Sequence, residues 1–439
     1  MCKDNLRRDF IKGGISLSAS FVASRLIAPN ASFAQSGSED FPVLKKLVWI
    51  HMSGGWDILE TVDPKAQSTD KLDIMYDYGL APRLSGASHD VRLGRWLTKT
   101  ASHGSDIIVV RGLAMGTTSH DAGTVYSDTG VLSNSGNVNA ASIPAIVASQ
   151  SAVTIPLIQV GGGNTPKTDR GLLKPVSIVR AQELDLYRKL FPSTSDELYA
   201  SQRILEYSRR SLLRLQTVTG VHDRLTEIEA ARGKIQAQIE ADVGSKLLLN
   251  DDDRLPFEQG FDGAETSRDR TNLISNFALV VKLLKNQLVT SVNMSVGGFD
   301  THANQERTLG PRLTNFDVIF STFLAQLKAE GLLEDTLVVL YSDFGRTPRV
   351  NGNNGRDHWP VGGALLAGGG LLGGRAVCAT DEDLLALNVD VNTGLASPNG
   401  IQLSPVHLGG SIIQLTLGSS YLQKRPYLES IPALTRLKS

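Results

Sequence analysis

Five short, largely apolar runs in this chain each stop at a cluster of small and polar residues, and this recurrence constrains the fold more than any other feature. Residues 45–52 (KKLVWIHM) end at Ser53-Gly54-Gly55-Trp56-Asp57, and residues 106–113 (DIIVVRGL) end at Gly116-Thr117-Thr118-Ser119-His120-Asp121. Ile155 to Val160 ends in three glycines. Residues 289–296 (VTSVNMSV) run into Gly297-Gly298-Phe299-Asp300-Thr301-His302, and residues 336–341 (TLVVLY) into Ser342-Asp343-Phe344-Gly345-Arg346. Such runs fit strands covered on both faces. Between the last two strands, Phe316, Ile319, Phe320, Phe323, Leu324 and Leu327 recur at helical spacing, with Pro311 at the expected first turn and Gly331 as the stop. Residues 268–287 predict another amphipathic helix. Alternating helices and buried strands predict an α/β fold, a mostly parallel sheet sandwiched by helices. In such sheets the ligand crevice lies beyond the carboxyl ends of the strands, where the polar clusters would meet.

The chain has 439 residues, with 44 Lys and Arg against 45 Asp and Glu. No basic block is concentrated enough to form a nucleic-acid footprint, so nucleic acid is excluded as a partner. Two cysteines, Cys2 and Cys378, form neither a zinc ribbon nor a disulfide framework. Any metal must therefore be held by oxygen and imidazole. Residues 6–12 (LRRDFIK) and the mildly apolar stretch that follows resemble a twin-arginine export signal, with cleavage placed after Ala34. The expected partner is the twin-arginine export machinery and the expected location periplasmic or extracellular. Removing residues 1–34 takes five basic and two acidic residues, leaving 39 against 43. No later apolar run reaches about 18 residues uninterrupted, which predicts no membrane span in the mature chain. Residues 41–439 are expected to form one domain, with a helical insertion at about 180–255. Asn250 to Asp253 lacks the glycine and distal glutamate of a calcium loop and reads as a surface turn.

The predicted strand ends collect Asp57, Asp300, His302, Asp343, Asp357 and His358, with Ser119 and His120 on another loop. Hard divalent ions take carboxylates, imidazole suits zinc, manganese or iron, and two ions about 4 Å apart can clamp a phosphoryl group. The residue types suit a mixed Asp/His metal site.

The motifs SGGWD (53–57), FDTHANQ (299–305), SDFGRTPRVNGNNGRDHWP (342–360) and GGALLAGGGLLGG (362–374), together with the leader, resemble the exported domain-of-unknown-function family numbered 1501. That family is grouped with the alkaline phosphatase and sulfatase superfamily. The resemblance implies a metal-dependent hydrolase of phosphate or related esters, with a small anionic ester as substrate and zinc, manganese or calcium as cofactor. It implies Asp57, Asp300, His302, Asp343 and His358 as metal ligands and Ser119 as nucleophile, with Thr117 and Thr118 its nearest competitors. Arg346 or Arg356 would receive the anionic ester through paired donors. Phe344 stands where the active phosphatases usually carry histidine, and the Asp300-x-His302 pair is more closely spaced than theirs, so one-metal and two-metal sites are both open. The absence of a Cys/Ser-x-Pro-x-Arg stretch disfavours a formylglycine-dependent sulfatase. The alternative class is a non-catalytic exported binding or assembly protein that retains the fold.

The remaining candidates read as structural. His51 lies in an apolar run and reads as a core histidine, His89, His103 and His222 as surface residues, and His407 as a first-turn surface position. Ser119, His120 and Asp121 are consecutive, and consecutive side chains cannot build a Ser-His-Asp relay. Cys378 reads as a small buried hydrophobe.

Overall fold

The computed structural model describes residues 45–161 except 135–137, 139, 152 and 154, then 178–180, parts of 196–210, 246–261 and 267–418, with 421. The leader expected at 1–34, His222 and most of the helical insertion expected at 180–255 lie outside the described residues.

The strands of the main sheet and of the small β7–β8 ribbon are β1 (Lys46–Met52), β2 (Ile107–Ala114), β3 (Ile155–Val160), β4 (Ile178–Arg180), β5 (Val289–Val296), β6 (Thr336–Tyr341), β7 (Gly345–Arg346), β8 (His358–Trp359), β9 (Val361–Gly368) and β10 (Arg375–Val377). Eight of them form one sheet in the order β10-β2-β9-β6-β1-β5-β3-β4. All neighbours are parallel except at β9, which runs antiparallel to both β2 and β6. The expected mostly parallel sheet is therefore present. β9 itself carries no strand signature in the sequence, because glycine has little strand preference.

The helices are α1 (Thr98–Ala101), α2 (His120–Thr129), α3 (Ile143–Ala148), α4 (Asp251–Glu258), α5 (Arg268–Lys285), α6 (Gln305–Ala329) and α7 (Pro405–Leu417). Side chains alternate across a strand, so each strand feeds two cores. Val48, Ile50 and Met52 of β1 join Phe277 of α5 and Phe316, Phe320 and Phe323 of α6 on one face. Leu47 and Trp49 join Ile143 and Ile146 of α3 and Ile412 and Ile413 of α7 on the other. The four phenylalanines are each 0 or 1% exposed, and each contributes about 1.5–3 kcal/mol by leaving water. Among the described residues no helix is long and apolar enough to cross a membrane.

Four local expectations are corrected. α6 begins at Gln305, so Pro311 lies inside the helix. Pro311 faces solvent, where the lost amide hydrogen bond is cheapest. Asn250 to Asp253 is a helix start: Asn250 accepts from the Asp253 amide and the Asp253 carboxylate accepts from the Asn250 amide, a capping box for α4. His407 is half-buried at the third position of α7, where its Nδ1 meets Ser404. His103 is half-buried as well, its Nε2 3.0 Å from Ser321 Oγ.

Candidate metal centre

β1, β2, β5 and β6 end at the same edge of the sheet, and β9 begins there, so their loops converge. Among the described residues one group of metal-ligating side chains comes together: His120, Asp300 and His358, one ligand atom from each, all within 4.8 Å of one another. His302 adjoins them.

His120 opens α2. Gly123, one turn later, lies so close to the β6 loop that a Cβ there would stand 2.2 Å from the Asp343 carbonyl oxygen. This contact lets the His120 Nδ1–H reach the Asp343 carboxylate in a short hydrogen bond. The other Asp343 oxygen accepts from the Gly55 amide at 2.7 Å, the Gly54 amide at 3.3 Å and Ser342 Oγ at 2.8 Å. Gly54 and Gly55 hold φ of 112° and 66°, a region that favours glycine, and a Cβ on Gly55 would stand 2.5 Å from the Phe344 ring. Burial pushes the Asp343 carboxyl up, but the hydrogen bond from His120, the His51 ring and the Gly55 amide outweigh it and hold the group well below the usual carboxylate range. The same hydrogen bond to Asp343 raises His120 above the ordinary imidazole value against the opposing effect of burial.

His358 and His302 are fixed in the same manner. The His358 Nδ1 donates to the Thr118 carbonyl at 2.8 Å, and the His302 Nδ1 donates to Asp357 Oδ1 at 2.9 Å. Asp357 also accepts from Asn351 Nδ2 at 3.0 Å, and the His302 hydrogen bond draws its carboxyl below the usual range. Burial lowers His358. Once each Nδ1 is committed as a donor, the neutral ring carries its lone pair on Nε2. These three lone pairs meet at Asp300. His302 Nε2 lies 3.0 Å and His358 Nε2 3.5 Å from Asp300 Oδ1, while His120 Nε2 lies 3.7 Å from Oδ2. His302 and His358 bring their Nε2 atoms within 2.9 Å of each other. Acceptors this close repel unless a cation or a shared proton lies among them. A histidine oriented by an acceptor at its far nitrogen is the usual arrangement at metal sites, so these residues fit a divalent ion. Asp300 is 51% exposed, His302 44%, His120 38% and His358 25%, which leaves the centre reachable from solvent.

The other expected residues lie around this group. Ser119 is the exposed cap of α2 and makes no capping hydrogen bond; it sits between Thr118, whose carbonyl holds His358, and His120. Asp343 serves as the anchor of His120. Arg346 is fully buried: Nε donates to the Gly55 carbonyl at 2.7 Å, Nη1 to the Arg356 carbonyl at 3.0 Å, and Nη2 to Asp300 Oδ1 at 2.6 Å and to the Gly54 carbonyl. Its charge reaches the centre through Asp300 and directly at His302, whose Nε2 lies 3.4 Å from Nη1. Asp57 is 1% exposed, and both its oxygens are taken. Oδ1 accepts from the Leu59 amide at 2.9 Å, while Oδ2 accepts from the Gln305 side chain and faces Arg356 Nε at 3.1 Å, an ion pair whose angle falls short of a hydrogen bond. His51 is buried as expected, yet its Nε2 points toward Asp343, 3.6 Å away. His120 enters as a ligand candidate beyond the five implied by the resemblance; its signal was a histidine directly after a strand-end Ser/Thr cluster. Cys378 is buried and its thiol is pushed up to about 12 by burial.

Residues 193–393 match the family model described as Protein of unknown function (DUF1501), the family that the FDTH and FGRTP-to-RDHW motifs resemble. The chain is also similar in structure to three bacterial proteins. A lipoteichoic acid synthase from Listeria monocytogenes is 10% identical, with 88% of this chain and 80% of that one covered at a TM-score of 0.36. A protein in the alkaline phosphatase superfamily from Vibrio parahaemolyticus is 10% identical, with 91% and 75% covered at 0.35. The alkaline phosphatase from the Antarctic bacterium TAB5 is 14% identical, with 85% and 99% covered at 0.34. No curated protein matches the sequence.

Proposed function

We propose that the chain is an exported, metal-dependent hydrolase of phosphate or related anionic esters, with the ion held by His120, Asp300 and His358 and His302 beside them. The observation that carries this reading is the commitment of three Nδ1 atoms to Asp343, Thr118 and Asp357, which turns three Nε2 lone pairs toward one carboxylate. A divalent ion, when bound, supplies Lewis acidity at an ester oxygen and lowers the pKa of a hydroxyl. The chain supplies the rest. Ser119 presents a hydroxyl without a capping partner beside His120 and is the nucleophile in this reading. The first amides of α2, to which Ser119 gives no capping side chain, favour an anion. Arg346 keeps Asp300 ionised: burial raises that carboxyl, and the Arg346 hydrogen bond and charge bring it below the usual range. The exported setting is part of the proposal and rests on residues 6–34.

The test is elemental analysis of the purified protein together with hydrolysis of an aryl phosphate. Bound metal and turnover should both fall in Asp300→Ala, and turnover alone in Ser119→Ala. A protein with no metal, and turnover unchanged by Asp300→Ala, refutes the reading. Phe344 favours a second reading, a non-catalytic binding or assembly protein with one ion. Its ring packs 4.6 Å from His120 and 4.4 Å from His358, at the position where an imidazole was expected. Turnover that disappears in folded Ser119→Ala excludes it.

A further inference from the structure

We infer that this centre takes one metal ion per chain, and that the guanidinium groups of Arg356 and Arg346 stand in the protein where a second ion would otherwise supply positive charge. The inference rests on the metal-dependent reading above. A second ion needs carboxylate oxygens that it can reach, and Asp57 and Asp343 are the acids the motifs offer for it. Both are 1% exposed, and each of their oxygens already has a partner. Asp57 Oδ1 is bound to the Leu59 amide, and Oδ2 lies between the Gln305 side chain and Arg356 Nε. Asp343 is bound on one oxygen by His120 and on the other by the Gly54 and Gly55 amides and Ser342.

Arg356 cannot swing aside to admit an ion. It is 1% exposed, and its Nη1 and Nη2 are clamped by the carbonyls of Thr347 (2.8 Å), Pro348 and Asp73. A divalent ion at Asp57 would sit against this trapped cation in a site with almost no water to screen the repulsion. Arg346 is clamped likewise by Gly54, Gly55 and Arg356. It takes Asp300 Oδ1 at 2.6 Å, the oxygen that His302 and His358 also face, and leaves Oδ2, which lies 3.7 Å from His120 Nε2. One carboxylate thus meets a fixed cation at Oδ1 and keeps Oδ2 for an ion.

Counting the metal tests this. The full chain, stripped with a chelator, is titrated with Zn²⁺ by calorimetry and then analysed for zinc after desalting. One equivalent is expected for the wild type, one for Asp57→Asn with a Kd within about twofold, and none for Asp300→Asn. Two equivalents in the wild type, falling to one in Asp57→Asn, would overturn the inference and leave the metal-dependent reading standing. No bound zinc would overturn both. Should Asp57→Asn fail to fold, the wild-type count alone decides.

Discussion

Asp57 and Asp300 follow the same four-residue pattern, Gly-Gly-aromatic-Asp, at the ends of two neighbouring parallel strands. Yet Asp57 is 1% exposed and locked between Arg356, Gln305 and the Leu59 amide, whereas the Asp300 side chain is 51% exposed and faced by three imidazoles. The two ends of the site therefore start from one local motif and reach opposite chemical states. What separates them arrives from elsewhere in the chain. Gln305 lies 248 residues beyond Asp57, and Arg356 comes from the loop before β8. A carboxylate closed over on both oxygens is part of the structure; one that meets a clamped guanidinium on a single oxygen and is faced by three imidazole Nε2 atoms can take a ligand.

Breaking the open end should have the largest effect. Asp300→Ala removes the carboxylate on which the Nε2 atoms converge, and bound metal should fall to background by elemental analysis. Retention of a full equivalent would show that the histidines bind without it. Breaking the closed end should cost stability: Arg356→Met leaves Asp57 buried without its cation, an error of about 3–5 kcal/mol. Denaturant unfolding measures that loss, and Asp57→Asn added to Arg356→Met should recover part of it. Full additivity of the two substitutions would break the comparison.

The closed end also predicts a pH dependence. Burial first, and the charge of Asp57 second, raise Glu60 from 4.5 to about 7. The folded chain then holds this proton more tightly than the unfolded one. The group costs nothing below the unfolded value, and its ionisation erodes stability as pH climbs from about 4.5 to 7, by about 3 kcal/mol in all. Glu60→Gln should remove this slope, so that wild type and variant diverge between pH 5 and pH 8 in urea unfolding. Parallel curves would mean that Arg95, 3.2 Å from Glu60, already keeps the acid ionised.

Much of this frame was legible in the sequence, and the reason is local. β1, β2, β3, β5 and β6 are apolar runs ended by glycine or small polar residues, and α5 and α6 carry apolar stripes at helical spacing, so each is encoded within a short stretch. β9 was not legible, because five of the eight residues from Val361 to Gly368 are glycine or alanine, and its strand state depends on lying between β2 and β6. The start of α6 was misplaced because Pro311 looks like a first-turn residue, while the true start at Gln305 is set by contacts to Asn354 and Asp57. The candidate site divides in the same way. Asp300, His302 and His358 announce themselves by type and position. That His120 faces Asp300 with its far nitrogen on Asp343 depends on the close approach of Gly123 to the β6 loop, which no local pattern encodes.

The smallest expected effect gives the finest test of the open end. Asp357 touches no other member of the histidine group, and its contribution is to accept the His302 Nδ1–H at 2.9 Å. Asp357→Asn keeps the size and an acceptor oxygen but removes the charge that orients and enriches the ring. Metal affinity should fall by about tenfold, the lower end of what an outer partner contributes. Because Asp357 is exposed, the thermal midpoint of the metal-free chain should hardly move. If His302 stands beside the ion without touching it, the affinity will stay within twofold of wild type, and the ligand set closes at His120, Asp300 and His358. A tenfold loss with an unchanged metal-free midpoint makes His302 a fourth ligand.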